Sequence, residues 1–249
     1  MSAQGGMIME VKAAARLTDE EKRMTEELVR LCRDHDGSSL SFPSEDGSFF
    51  VLVREEGILA CALALYDLEP HLYECAAFTR PDMRRRGFFS AALDRARRQF
   101  QNDDFSFVTD GRCQAAAFVL KKIRARYWYC EHMMRLDFDG WQPPVCVLPP
   151  AFSMEEDAPG HFTARIHGRE AGVCSTMNSG TSVYLWGLEI RSRFRGKGYG
   201  KAFFLQVLKQ LEQNAPAVLL QVSGDNTAAL NLYKKTGFRI TETLSYYLY

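Results

Sequence analysis

The sequence predicts an α/β protein of the α+β kind, built as two tandem copies of one fold. Three observations carry this. Short apolar runs at strand and helix spacing follow one another in the same order in both halves. Thr79, Pro81, Arg84, Gly87 and Phe89 have counterparts at Ile190, Ser192, Arg195, Gly198 and Gly200, each 111 residues on. Both sets lie between a strand and an amphipathic helix, so the offset describes a repeated strand–loop–helix unit. Finally, four prolines between Gly140 and Pro150 punctuate the middle of the chain.

Thr18 with Glu21 three residues on forms a capping box, and Leu28 and Leu31 follow at helical spacing, so Thr18–Arg33 reads as a helix. Phe49–Val53 and Ile58–Tyr66 read as a hairpin around Glu55-Glu56-Gly57. Then come a strand over His71–Thr79, a helix over Phe88–Phe100, a strand over Phe105–Thr109, a helix over Cys113–Ile123 and a strand over Tyr127–Phe138. Prolines remove backbone donors and fix φ, which makes 140–150 a linker or edge segment. The second half places strands at His161–His167, Ala171–Met177 and Ser182–Ile190, then a helix at Tyr199–Gln213. A strand at Ala217–Val222, a helix at Thr227–Lys235 and a last strand at Phe238–Leu248 complete it. The domain division that follows is 1–139, a linker at 140–150, and 151–249.

Composition narrows the function classes. The 249 residues are 46% hydrophobic and 25% charged, enough for a sizeable core in one or two domains. Lys+Arg and Asp+Glu balance at 31 each, so no global field draws nucleic acid or an anionic membrane. The longest nearly apolar run, Ile58–Tyr66, falls far short of the ~20 residues of a membrane span. The N-terminal stretch lacks the apolar segment of a secretory signal. Seven scattered cysteines make no C-x-x-C pair and read as thiols of a reducing cytoplasm. No H-x-x-x-H or Cys/His cluster calls for a metal.

Arg195-Gly-Lys-Gly-Tyr-Gly200 follows a strand and opens a helix. Its glycines let backbone N–H groups approach a ligand, and the helix start adds free donors and partial positive charge. Arg195, Lys197 and Lys201 add full charges, so the place suits an anion such as a pyrophosphate. The glycine spacing is neither that of a dinucleotide fingerprint nor that of a Walker loop.

The R-x-x-G-x-G spacing after a strand resembles the acetyl-CoA signature of the GNAT acetyltransferase superfamily. The stretch LLQVSGDNTAALNLYKKTGF resembles that family's next strand and helix, with Asn226, Ala229, Tyr233, Gly237 and Phe238 in its pattern. The resemblance covers roughly Tyr184–Tyr249, and more weakly Phe49–Asp137. It implies tandem GNAT-like domains, each a mixed, mostly antiparallel central sheet flanked by helices. It implies acetyl-CoA as co-substrate, no metal, and transfer of acetyl to an amine, most simply of a small molecule. Leu188, Glu189, Ile190, Arg195, Gly196, Lys197, Gly198, Tyr199, Gly200, Lys201, Asn226 and Tyr233 would hold the co-substrate. Tyr233 would protonate the leaving thiolate, and the backbone around Leu188–Ile190 would stabilise negative charge on oxygen.

The general base stays open. Many relatives carry Glu or His four or six residues before the position of Ile190, where this chain has Trp186 and Tyr184. Glu189 is nearby, and Gln221 can orient a water but takes no proton, so the simplest expectation is an amine that arrives deprotonated. Aligning Lys121-Lys122 with Lys234-Lys235 sets Cys113 opposite Asn226 and Leu120 opposite Tyr233. The first copy therefore lacks both groups and is expected to be silent. The second half shows no helical pair before its strands, so an acceptor wall would come from the first domain or another chain. A non-catalytic acyl-CoA sensor and a protein or peptide N-acetyltransferase remain the alternatives, and oligomeric state is not legible.

Overall fold

The Thr18–Glu21 capping box forms as the sequence implies: Glu21 N–H donates to Thr18 Oγ1 at 3.3 Å, and Thr18 N–H donates to Glu21 Oε2 at 3.1 Å. A computed structural model describes residues 9–249, so residues 1–8, which include part of the stretch judged for a secretory signal, lie outside the described residues. Two compact units emerge. One holds the described residues up to Tyr129 together with Leu244–Tyr249, and the other is Cys130–Thr243. The proline-rich stretch 140–150 lies inside the second unit, not between the two.

The first unit contains β1 (Met9–Ala14), α1 (Asp19–Asp36), β2 (Phe49–Glu55), β3 (Ile58–Glu69), β4 (Leu72–Thr79), α2 (Phe88–Gln99), β5 (Asp104–Thr109) and α3 (Gln114–Lys122). Its strands run β1-β2-β3-β4-β5, with the C-terminal residues Ser245–Leu248 paired antiparallel to β5. β4 and β5 are parallel, over Leu72–Cys75. The β2–β3 hairpin turns on Glu56 and Gly57 at φ 50° and 79°, the positive pair that a two-residue turn demands. β3 is apolar on both faces for a reason: α1 covers Ala62 and Ala64, while α2 covers Leu63 and Leu65.

The second unit contains β7 (Phe152–Ala158), β8 (His161–Ile166), β9 (Arg169–Ser179), β10 (Ser182–Ile190), α4 (Tyr199–Leu211), β11 (Ala217–Ser223) and α5 (Thr227–Lys235). The long strand β6 (Arg126–Asp137) contributes its residues from Cys130 onward, paired with β11 from Ala217↔Asp137 to Ser223↔Glu131. The order is β7-β8-β9-β10-β11-β6, with β10 and β11 parallel over Val183–Leu185. β12 (Arg239–Leu248) is shared between the units, its residues up to Thr243 here and the rest in the first. Each half of the chain thus gives part of its last strand to the other unit.

α4 and α5 cover one face of this sheet, with Phe203, Phe204, Leu208 and Leu230 packed on Phe162, Leu185, Leu220 and Met134. The opposite face carries alternate residues such as Tyr184, Trp186 and Gln221, and both described helices of the unit lie on the other side. None of the described helices is long and apolar enough to cross a membrane. β1 and β7 have no counterpart in the sequence reading. Each is an edge strand with one partner and no fully buried side chain, so neither shows an alternating apolar face.

Candidate functional site

The 111-residue offset reappears as geometry. Short 3-10 turns at Pro81–Met83 and Ser192–Phe194 follow β4 and β10, and left-handed Gly87 and Gly198 precede α2 and α4. Arg84 Nε donates to the Thr79 carbonyl at 3.1 Å, and Arg195 Nε donates to the Ile190 carbonyl at 2.6 Å. These arginines thus tie each loop to the end of its strand.

The second loop is built to meet an anion. Gly196 and Gly198 have φ of 74° and 81°, and a Cβ on either would meet nothing within 4 Å, so their backbone faces open space. α4 has no side-chain cap, which leaves first-turn N–H groups for a ligand. Lys197 Nζ donates to the Arg193 carbonyl and Lys201 Nζ to the Val145 carbonyl, both at 3.1 Å. Among the described residues no carboxylate pairs with Arg195, Lys197 or Lys201, so their charge is unneutralised. Tyr199 packs its ring on Phe194 at 5.9 Å, and Gly200 lies where a Cβ would press on Ile190 Cγ1 at 3.3 Å.

Before the loop, β10 breaks its ladder. It leaves β11 after Leu185, and its register on β9 slips between Trp186 and Glu189. Gly187, at φ 65°, makes this bulge possible. The bulge releases backbone groups at Gly187 and Leu188 that a regular ladder consumes. A glycine inside an apolar strand pattern is the sequence signal for such a bulge. Glu189 is not aimed at this opening: it pairs with Arg191 at 3.4 Å and lines, with Glu170, Arg191 and Arg195, a surface depression of about 570 Å³.

α5 brings the other predicted residues. Asn226 is its N-cap, its Oδ1 accepting the Ala229 N–H at 3.1 Å, which leaves the side-chain NH₂ free to donate outward. Tyr233 is buried at 7%, its ring 5.2 Å from Phe204 and 5.8 Å from Phe238. Burial, and secondarily the Cys174 thiol, push its hydroxyl up to about 12. Cys174 in turn lies 3.9 Å from the Trp186 carbonyl, so Tyr233 sits beneath the start of the bulge.

Residues 119–238 match the model of the acetyltransferase (GNAT) family. The chain carries a GNAT acetyltransferase domain. The matched stretch includes β6, whose residues Cys130–Asp137 belong to the second unit. A GCN5-related N-acetyltransferase from Sphaerobacter thermophilus superposes with a TM-score of 0.74 at 14% identity, covering 96% of this chain and 95% of that one. A tandem GNAT protein from the clavulanic acid biosynthesis pathway gives 0.68 at 14% identity, over 96% and 98%. The glucosamine N-acetyltransferase region of a fungal multi-domain β-N-acetylglucosaminidase gives 0.71 at 11% identity, over all of this chain and 39% of that one. At such identities the likeness is one of fold, and the fold is a tandem GNAT fold. No curated protein matches the chain.

The first GNAT-like unit differs from the second at each of these features. Ala76 stands where the second unit has Gly187, and β4 keeps regular register on β3 from Cys61↔Thr79 to Asp67↔Tyr73. Arg84 makes a two-pronged ion pair with Asp36 at 2.9 and 2.6 Å, and Arg86 pairs with Glu55. α3 starts at Cys113 without a side-chain cap, and Leu120 is buried where Tyr233 sits in the second unit.

Arg84, and to a smaller degree His35 and Cys113, hold the Asp36 carboxyl at about 2 despite the opposing effect of burial. A folded pKa below the unfolded value near 4 means stability present above pH ~4 and lost as pH falls toward 2. Asp36→Asn is therefore expected to lower the first unit's stability by about 2 kcal/mol at pH 7 and by almost nothing near pH 2. Thermal melts at the two pH values check it.

Proposed function

We propose that this protein is an acetyl-CoA-dependent N-acetyltransferase that passes acetyl directly to a primary amine of a small molecule. The second unit does the chemistry and the first is a silent copy. One observation carries the reading: the bulged strand, the loop with unpaired positive charge and the buried tyrosine occur together, and among the described residues only in the second unit. The donor set fits the co-substrate. The N–H groups of Gly196–Gly200, with Arg195, Lys197 and Lys201, would meet a pyrophosphate. The bulge at Gly187–Leu188 would donate to the pantetheine arm and to oxygen as it gains charge. Asn226 would donate its NH₂ to the arm from the other side. Tyr233 would offer its proton toward the departing sulfur. The fungal neighbour's named acceptor, glucosamine, is a small amine, which accords with the acceptor class. Seven free cysteines accord with a reducing cytoplasm.

Mixing the protein with acetyl-CoA and a panel of primary amines, and following free thiol and acetylated amine, tests the activity. Binding of acetyl-CoA with no transfer to any amine would establish a binding module instead. The loop gives a second expected result. Arg195→Ala and Lys197→Ala each weaken acetyl-CoA binding by about tenfold, near 1.4 kcal/mol for an exposed charge-assisted contact. Arg84→Ala and Arg86→Ala leave binding unchanged, and calorimetry gives one site per chain. Two sites, one of them lost in Arg86→Ala, would show that the first copy is not silent.

A further inference from the structure

An amine that is an ammonium at neutral pH must shed a proton before it can attack. On the side of β10 opposite α4 and α5 stand Tyr184 and Trp186, which take no proton there, and Glu189 is engaged with Arg191. β6 brings a different carboxylate. Glu131 stands opposite Ser223 in the β6–β11 ladder, and Gln221 Nε2 donates a hydrogen bond to Glu131 Oε2. Gln221 is the first β11 residue past its last pair with β10, so this bond lies at the rim of the opening. On the other side of β11, Tyr184 registers the carboxylate as well: burial, and then Glu131, raise its phenol above the ordinary value. By strand alternation Glu131 shares a face of the sheet with Gln221, Tyr184 and Trp186, one strand beyond β11. The Tyr184 and Trp186 rings lie side by side there, centroids 6.3 Å apart and 26° from parallel, with Trp186 43% exposed.

We propose that Glu131 receives the proton of the acceptor's ammonium, and that the acceptor is an aliphatic amine bound as a cation against Glu131 and the rings of Tyr184 and Trp186. This rests on the N-acetyltransferase reading. A carboxylate beside two aromatic faces is a site for an organic cation. The bonds balance. An ammonium N–H breaks and its proton goes to Glu131. The freed lone pair forms a C–N bond at the thioester carbonyl. The C–S bond breaks as the Tyr233 hydroxyl donates a hydrogen bond to the departing sulfur, which leaves as the thiolate. The nitrogen's second proton reaches the thiolate through water, Tyr233 keeps its own, and Glu131 releases the first to solvent. The base thus comes from β6, outside 151–249.

The test compares two acceptors at pH 7: a simple alkylamine, protonated in solution, and an arylamine of similar size, neutral in solution. Glu131→Gln preserves shape and an acceptor for Gln221. The expected result is a loss of about 100-fold in kcat/KM with the alkylamine, less than about threefold with the arylamine, and unchanged acetyl-CoA affinity. Glu131→Asp keeps part of the alkylamine activity. Equal losses with both amines, or no loss with the alkylamine, overturn the role of Glu131 while leaving the N-acetyltransferase reading in place. A wild-type protein that acetylates neither overturns both.

Discussion

Tyr233→Phe is expected to lower kcat by about 100-fold while acetyl-CoA affinity stays within about twofold. Phenylalanine keeps the ring contacts with Phe204 and Phe238, so the α5 packing survives. No described group hydrogen-bonds the Tyr233 hydroxyl, so its removal strands no partner, and stability should move by less than about 0.5 kcal/mol. What is lost is the proton beside the departing sulfur. With the hydroxyl held near 12 by burial, and a thiol titrating near 8.5, complete transfer runs uphill. The hydroxyl therefore acts mainly as a hydrogen-bond donor to growing thiolate charge, which sets the effect at the lower end of the ~10²–10⁴ range. The same high value keeps Tyr233 protonated throughout the working range, so no tyrosine limb should enter the pH–rate profile below about pH 11. Steady-state thiol release and equilibrium binding separate kcat from affinity. A kcat equal to wild type with a good acceptor would reduce Tyr233 to a core residue.

What the sequence makes legible here is local. The Thr18 cap, the Glu56-Gly57 turn and the Arg195–Gly200 loop each depend on residues within a few positions of one another, and each forms as its chemistry dictates. The 111-residue repeat is legible because Arg84 and Arg195 perform the same tether to the end of their own strand. Asn226 adds a role not foreseen, spending its carbonyl on its own helix. Pairing is what stays hidden. Tyr127–Phe138 and Phe238–Leu248 announce themselves as strands, but alternation says only that a strand has a buried face, not which neighbour buries it. Part of each goes to the unit built mainly from the other half, and no local signal marks the exchange. Glu131 is hidden for the same reason: nothing in its own strand connects it to Gln221, 90 residues away. Gly187 is the opposite case, a bulge marked by a lone glycine in a strand.

The exchange has a consequence for folding large enough to read without kinetics. A fragment 151–249, the second half as the prolines would divide it, is expected to remain unfolded, whereas 130–243 folds. The first lacks β6, and with it Met134, Leu136 and Phe138, exposed by only 0%, 2% and 8% in the core under α4 and α5. At about 1.5–3 kcal/mol for each buried apolar side chain, their absence removes roughly 5–9 kcal/mol. That is comparable to the whole stability of a typical domain, about 5–15 kcal/mol. It also strips β11 of its seven-residue ladder and leaves a bare strand edge beside an open core, an invitation to aggregate. The longer N-terminus of 130–243 restores all three side chains, and its earlier stop omits residues whose backbone serves the first unit. Tyr249 exchanges two backbone hydrogen bonds with Phe105, both at 2.9 Å, so truncation at 243 should loosen that unit in the intact protein. Circular dichroism melts decide the matter: a cooperative transition for 130–243 and none for 151–249. The reverse pattern would mean that β6 belongs with the first half after all. It would also remove Glu131 from the acceptor side of the second sheet, so the folding experiment bears on the proton receiver before any acceptor is known.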